Sequence, residues 1–368
     1  MRVLMAAPFD VNGRYKGGIS SLVNAVMERQ DLLNDSCLDI VKFETCRIKR
    51  DNTHESSFNI KNIKNFFKIY NDLASEIVKN KVDCLYYHSS IGLALLKDLL
   101  AIKKAKRKTK IKTVLHIHFA DYEKIMTGIS CLDSLILKYI KKYIDRVVFL
   151  SNKTKQEFIE KGVSKEKCCV IYNFSTISFT DEEISEHLRS DMDKPQFLFV
   201  GSIDRRKGIF DALDCLKQLP NDFLVHICGG FNSADDEKAF NEYQQQLGDK
   251  MVFHGYVSQD EKNDVFLNSD VLLLPSYAEG LPVVILEAFS AACCVITTNV
   301  GAIPEIVENK AESIINAGNI DELKNAISFY LNYENYEEIR NKKQKNYIES
   351  KKYTIEKFVE AMNNVILN

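Results

Sequence analysis

Short apolar runs recur along this sequence, and between them lie longer stretches whose apolar positions return at the three-or-four-residue interval of a helix. Runs that are apolar throughout mark strands covered on both faces, so the alternation predicts parallel sheets with helices packed on them. Arg2 to Pro8 is the first such strand, Asp10 to Gly18 a loop with three glycines, and Ile19 to Arg29 the helix that follows. Ile60 to Asn80 reads as a helix with Ile63, Phe66, Phe67, Leu73 and Ile77 on one side and Lys61, Lys64 and Lys68 around them. Thr113 to Phe119 supplies another strand, and Asp145 to Leu150 and Lys167 to Ile171 complete the first sheet.

From Asn173 to Lys194 the strand pattern lapses into polar, acidic residues, and a second alternating unit opens at Pro195. Its strands are Phe197 to Val200, Phe223 to Cys228, Val252 to Tyr256, Asp270 to Leu274 and Cys294 to Thr298, and the chain is helical from Asp321. The expected organisation is one α/β domain over 1–175, a connection over 176–194, a second α/β domain over 195–350, and a terminal helix over 351–368 packing back toward the first. A length of 368 residues is enough for two such cores.

Charge sharpens the division. Residues 1–175 hold 31 Lys+Arg against 19 Asp+Glu, and the remainder 18 against 32. A basic half joined to an acidic half fits either two bodies with different partners or two domains that attract each other. Cations concentrate at Lys103 to Lys112, seven in ten residues. No aromatics stand near them in sequence to stack on bases, so no nucleic-acid partner is expected. A solvated helix end is the plain alternative; an anionic membrane surface is preferred, because the basic, amphipathic 60–80 helix points the same way.

The 10 cysteines lack any Cys-x-x-Cys pair and several lie in apolar runs, which suits reduced thiols in a cytoplasmic protein. No apolar run is long enough to span a membrane, and Val3 to Phe9 is too short for a signal peptide, so at most peripheral attachment to the inner face of a cell membrane is expected.

The candidate chemistry gathers at Pro275 to Phe289. Asp270 to Leu274 is a buried strand, Tyr277 to Gly280 a loop, and Pro282 suits the first turn of a helix. The free amides around Leu281 to Val284 would form an anion site at the positive end of that helix. Glu279 lies just ahead of it and Glu287 inside the helix, so a phosphate cradle stands between two carboxylates. Such a site suits a phosphate flanked by polyhydroxyl groups, as in a nucleoside diphosphate sugar. Arg205, Arg206 and Lys207 form a second cationic loop after the strand 197–200, without P-loop spacing. The glycines at 13, 17 and 18 lack dinucleotide-fingerprint spacing, and Gly17-Gly18 alone is an ordinary turn. His116 and His118 share a strand face, with His118 at the strand's carboxyl end where open sheets bind ligands. No acidic residue accompanies them at zinc-ligand spacing, so no metal is expected there. Asp191 and Asp193 are explained by the acidity of the connection.

In this arrangement the chain resembles the GT-B glycosyltransferases of family GT4, the retaining, nucleotide-sugar-dependent group. The resemblance rests on Glu-x7-Glu at Glu279 and Glu287 within Glu-Gly-Leu-Pro-x-x-x-Leu-Glu-Ala, followed by Gly301 to Val307. Lys207-Gly208, Gly229-Gly230, Phe253-x-Gly255, Gly17-Gly18 and Ile171-x-Asn173 occur in the family's order. It implies an α/β, GT-B fold of two Rossmann-like domains whose parallel sheets face a cleft. By that likeness His118, Glu279 and Lys207 are the catalytic candidates. Gly17, Gly18, Arg205, Arg206, Gly230, Tyr256, Gly280, Leu281, Pro282 and Glu287 are donor-binding candidates, with Glu287 on the ribose and Glu279 on the transferred sugar. No metal or cofactor is implied, and the donor is expected to be UDP-linked. The acceptor is expected to be a glycan or lipid-linked glycan in surface polysaccharide synthesis. Ser202 stands where the family often has Arg, leaving Arg205 or Arg206 to share that charge; Ala292 and Cys294 replace its commoner Gly and Pro. A non-catalytic nucleotide-sugar-binding subunit and a GT-B-like epimerase are the alternatives, and the glutamate pair favours transfer.

Overall fold

The computed structural model describes residues 1–9, 18–46, 60–89, 91–189, 194–220, 222–308 and 313–368, without the side chains of 60–63. Gly17, Asp191, Asp193, and the side chains of Lys61 and Ile63 lie outside the described residues. The chain divides into two compact units. The first comprises 1–174 and 355–368 but for residues 52–54, and the second 175–354.

In the first unit β1 (Arg2–Ala7), β2 (Asp39–Glu44), β3 (Cys84–Ser89), β4 (Lys112–Ile117), β5 (Arg146–Phe149) and β6 (Cys168–Val170) form a parallel sheet in the order β2-β1-β3-β4-β5-β6. Strands β1 and β3 are buried almost end to end; β1 is apolar after Arg2, whereas β3 carries Tyr86, His88 and Ser89 into the interior. Leu4, Leu85, Leu115, Val147 and Phe149 bring the sheet into a core shared with Ile69, Leu73, Ile77, Leu99 and Ile140. The terminal helix Ile355–Leu367 belongs to this unit: Phe358 packs on Phe174, and Lys112 Nζ reaches the Ile366 carbonyl at 2.8 Å.

Two expectations change here. Phe67 is 54 % exposed, because the buried stripe of Ile60–Lys79 runs through Ile69, Leu73, Ala74 and Ile77 at three- and four-residue steps. The lysine-rich run does have aromatic neighbours, contributed by other helices, and the protein's own lysines occupy them. Lys103 Nζ lies 4.5 Å from the Tyr139 ring centre and Lys104 Nζ 4.0 Å from that of Tyr70, while Lys106 pairs with Asp145. Much of the run's charge is therefore spent within the fold, on Gly92–Thr109 and its neighbours.

The second unit holds β7 (Gln196–Val200), β8 (Leu224–Cys228), β9 (Met251–Gly255), β10 (Val271–Leu274), β11 (Cys294–Thr298) and β12 (Ile314–Ile315), parallel in the order β12-β11-β10-β7-β8-β9. The connection expected over 176–194 carries the helix Asp181–Arg189. From β7 the chain steps outward to β8 and β9, then returns to the other side of β7 with β10. The carboxyl ends of β7 and β10 thus flank a topological switch point, where an open sheet leaves a crevice between diverging loops.

A buried ion pair holds β10 from beneath. Lys343 Nζ donates to Asp270 Oδ1 at 2.5 Å with side chains 4 % and 10 % exposed, and Asp270 Oδ2 accepts the Gln196 amide at 2.8 Å. Removing one partner strands a buried charge. Lys343→Ala is expected to cost about 3–5 kcal/mol of stability in denaturant unfolding, and adding Asp270→Asn is expected to recover part of it.

Candidate active site

At the switch point two loops are joined through their backbones. The turn after β7, Arg205–Lys207, is capped by Asp204, whose carboxylate accepts from the Lys207 amide (3.0 Å), Ser202 Oγ (2.7 Å) and Asn232 Nδ2 (2.6 Å). It closes on Gly208 in the left-handed region at φ 69°. A Cβ there would stand 2.1 Å from the Pro275 carbonyl oxygen, so glycine is what lets this turn lie on the loop after β10. The Tyr277 amide completes the join on the Arg206 carbonyl at 2.9 Å.

That join brings Lys207 and Glu279 together. Lys207 Nζ donates to Glu279 Oε1 at 2.6 Å, with side chains 16 % and 9 % exposed. Of the two arginines, Arg206 stays with this loop, donating to the Ala278 carbonyl at 3.3 Å and lying 3.7 Å from Asp204. Arg205 sits over the Phe210 ring instead, 5.7 Å from its centre. A second close approach fixes the far side of Glu279. A Cβ on Gly301 would fall 2.4 Å from the Glu279 carbonyl oxygen, and the Ala302 amide donates to the Gly280 carbonyl at 2.9 Å.

The helix after this loop is Val283–Ser290, with Pro282 immediately before it as the N-cap residue and not in its first turn. Leu281 is buried beneath the loop. The amides opening such a helix have no intrahelical acceptor and carry the positive end of its dipole. Glu287 lies one turn inside it, 2 % exposed, and its Oε1 accepts from Lys262 Nζ and Thr176 Oγ1, each at 2.5 Å. Gly230 packs under the exposed Tyr256 ring, where a Cβ would come within 2.5 Å. Ala292, in the family's glycine position, adopts a left-handed φ of 56° that glycine would take without strain.

The first unit places Gly18 as the first residue of the helix Gly18–Glu28, where a Cβ would meet nothing within 4 Å. Packing at that position therefore does not ask for glycine. His118 follows the end of β4 and meets a neighbour that sequence reading did not supply. His88 on β3 is in register with His116 on β4, and His88 Nδ1 lies 2.7 Å from His118 Nε2. Tyr86 hydroxyl bonds His116 Nδ1 at 3.0 Å, and the His116 and His118 rings stack with centres 4.0 Å apart.

These three rings are the described group of histidines that comes nearest to a metal site. His88 Nδ1 and His118 Nε2, 2.7 Å apart, are at hydrogen-bond distance, while His88 Nε2, His116 Nε2 and His118 Nδ1 are buried with no hydrogen-bond partner among the described residues. Desolvation pushes His118 down to about 3 and holds His88 and His116 well below the ordinary histidine value, so all three are neutral near pH 7. His118 can thus donate or accept a hydrogen bond but cannot serve as a cation.

Sequence reading missed His88, Tyr86, Lys262 and Thr176. Tyr86 and His88 show the same two-residue spacing as His116 and His118, but only the β3–β4 register brings the pairs side by side.

Comparison with known proteins settles the class. A family model described as Glycosyltransferase Family 4 matches residues 45–177, and one described as Glycosyl transferases group 1 matches residues 180–353. A curated Klebsiella pneumoniae protein, described as an uncharacterized 41.2 kDa protein in the cps region, is 25 % identical over 307 residues, covering 80 % of this chain and 81 % of that one. A solved structure of the lipopolysaccharide outer core galactosyltransferase WaaB has TM-score 0.70 at 20 % identity, covering 100 % of this chain and 99 % of its own. That of Anabaena Alr3699/HepE in complex with UDP has TM-score 0.68 at 17 % identity, covering 100 % and 98 %. The two family matches make the chain a glycosyltransferase, and its two parallel six-stranded sheets with these neighbours show the GT-B fold. Within that class the chain belongs to the GT4-type family.

The neutral histidines carry a stability cost on acidification. The unfolded chain takes up protons near pH 6.5 that the folded stack refuses, so stability falls as pH drops below that value. Each imidazole kept neutral costs about 2 kcal/mol between pH 7 and pH 5. Denaturant unfolding at both pH values should show this loss, and His88→Gln with His116→Gln should shrink it.

Proposed function

We propose that this glycosyltransferase is a retaining enzyme that moves a sugar from a nucleotide donor, UDP-linked, to a lipid-carried glycan during surface polysaccharide synthesis. The observation that carries the reading is the Lys207–Glu279 pair at the switch point between β7 and β10. The UDP bound in the Anabaena neighbour supports a uridine donor. In this reading Lys207 and Arg206, with the opening amides of Val283–Ser290, take the donor's diphosphate in place of a metal ion. Glu279 holds hydroxyls of the transferred sugar, and Glu287 holds the ribose. Gly230 and Tyr256 serve the nucleotide end. For Gly18 and His118 we propose donor contacts from the first unit, His118 as a neutral hydrogen-bonding partner of the sugar.

The chemistry is leaving-group stabilisation. The bond from the anomeric carbon to the diphosphate oxygen breaks and its electron pair leaves with the phosphate. The acceptor hydroxyl forms the new bond on the same face, and its proton passes to the departing phosphate. Negative charge grows on the diphosphate as the bond stretches, and preorganised cations meet it without reorganising.

Lys207→Ala and Glu279→Ala are each expected to cut transfer by about 10²-fold or more while the fold survives. Transfer by the purified chain alone is the measurement, and it separates this reading from a non-catalytic subunit. Product without an added acceptor would identify an epimerase instead.

Attachment to an anionic membrane is proposed on the exposed Phe67 between exposed Lys64 and Lys68 on one helix. Each cation near such a surface adds about 1 kcal/mol. Flotation with anionic liposomes should recover the protein, neutral liposomes should recover less, and Phe67→Glu should abolish recovery. No flotation in either case would remove the membrane from the account.

A further inference from the structure

We infer that Lys262 is a ribose-recognition residue, acting with Glu287 and Thr176 as one unit that selects ribonucleotide over 2′-deoxyribonucleotide donors. This rests on the reading that Glu287 faces the donor's ribose.

A carboxylate as deeply buried as Glu287 is tolerated only when paired, and the way it is paired is informative. Lys262 Nζ and Thr176 Oγ1 both converge on Oε1, each at 2.5 Å. Oε2 takes no hydrogen bond among the described residues. On its partner, the ammonium has three donor hydrogens and directs one at Glu287. The unit therefore leaves a carboxylate acceptor beside ammonium donors. A vicinal diol is its complement, since each hydroxyl can donate to one and accept from the other. A phosphate offers acceptors only and would be repelled by Glu287.

The helix carrying Lys262 is fixed for the task. Gln259–Leu267 opens on a capping box between Ser258 and Glu261, which sets its first turn. Gln259 Nε2 donates to the Thr176 carbonyl at 3.2 Å, so the helix grips the backbone of the residue whose side chain shares Glu287 with Lys262. Lys262 is 20 % exposed at its side chain, partly open where Glu287 is closed. With one hydroxyl missing, a donor or acceptor of this unit goes unanswered, and an unanswered charged group is costly.

Calorimetric titration of the full chain with UDP and with 2′-deoxy-UDP tests this. The wild-type protein should bind UDP at least about tenfold more tightly than the deoxy form. Lys262→Met should bring that ratio down to about threefold or less, and Glu287→Gln should do the same. Should Lys262→Met fail to fold, Thr176→Val must lower the ratio by at least about twofold. A wild-type ratio near one, or a wild-type ratio retained by the folded Lys262→Met or Thr176→Val protein, would overturn the inference and leave Lys262 a structural partner of its helix. If the wild-type chain binds neither UDP nor any other nucleotide, the donor reading of the whole site falls with it.

Discussion

The second unit depends on one constraint: the turn after β7 must lie against the loop after β10 at the point where the sheet reverses its order. Strand topology brings the two loops to the same edge, but it does not make them touch. Contact requires a residue without a side chain at Gly208, because the Pro275 carbonyl occupies the space a Cβ would fill. Gly301 repeats the device on the other side of Glu279. Between these close approaches, Glu279 has its backbone held on both sides and its carboxylate held by Lys207. Preorganisation of this kind is what an electrostatic catalyst needs, since charges already in place cost nothing to align as the reaction proceeds.

The two glutamates of the motif are each matched by a lysine, and the matches differ. Lys207 reaches Glu279 from the neighbouring loop, with both groups slightly open. Lys262 reaches Glu287 from a separate helix, and Glu287 is almost wholly enclosed. Within the acidic half of the chain, the carboxylates of this crevice are thus offset locally, and Arg206 adds positive charge beside Glu279's loop. Net charge described the surface of each half, not the crevice.

The alternation was legible where parallel strands buried on both faces leave unbroken apolar runs, but β2 and β3, which carry Asp39, Lys42, His88 and Ser89, escaped it. Glu279, Glu287 and Lys207 stand out in the sequence for a related reason: they lie on two loops and one turn inside a helix that follow directly from those strands. Most of the cases that failed involve elements distant in sequence. His88 finds His118 through the β3–β4 register, and Thr176 finds Glu287 through chain folding across 111 residues. Tyr70 and Tyr139 reach the lysines of Gly92–Thr109 from neighbouring helices, so a run that looked free to bind a partner is partly spent at home. Phe67 was assigned to the wrong face because a five-residue apolar set fits more than one helical stripe. Local pattern specifies local structure; pairings set by register and packing do not appear in it.

The most direct test is a crystal structure of this chain with UDP. The diphosphate is expected against Lys207, Arg206 and the start of Val283–Ser290, and the ribose hydroxyls at Glu287 and Lys262. A nucleotide bound away from the carboxyl ends of β7 and β10, or with its phosphates out of reach of Lys207, would contradict this expectation.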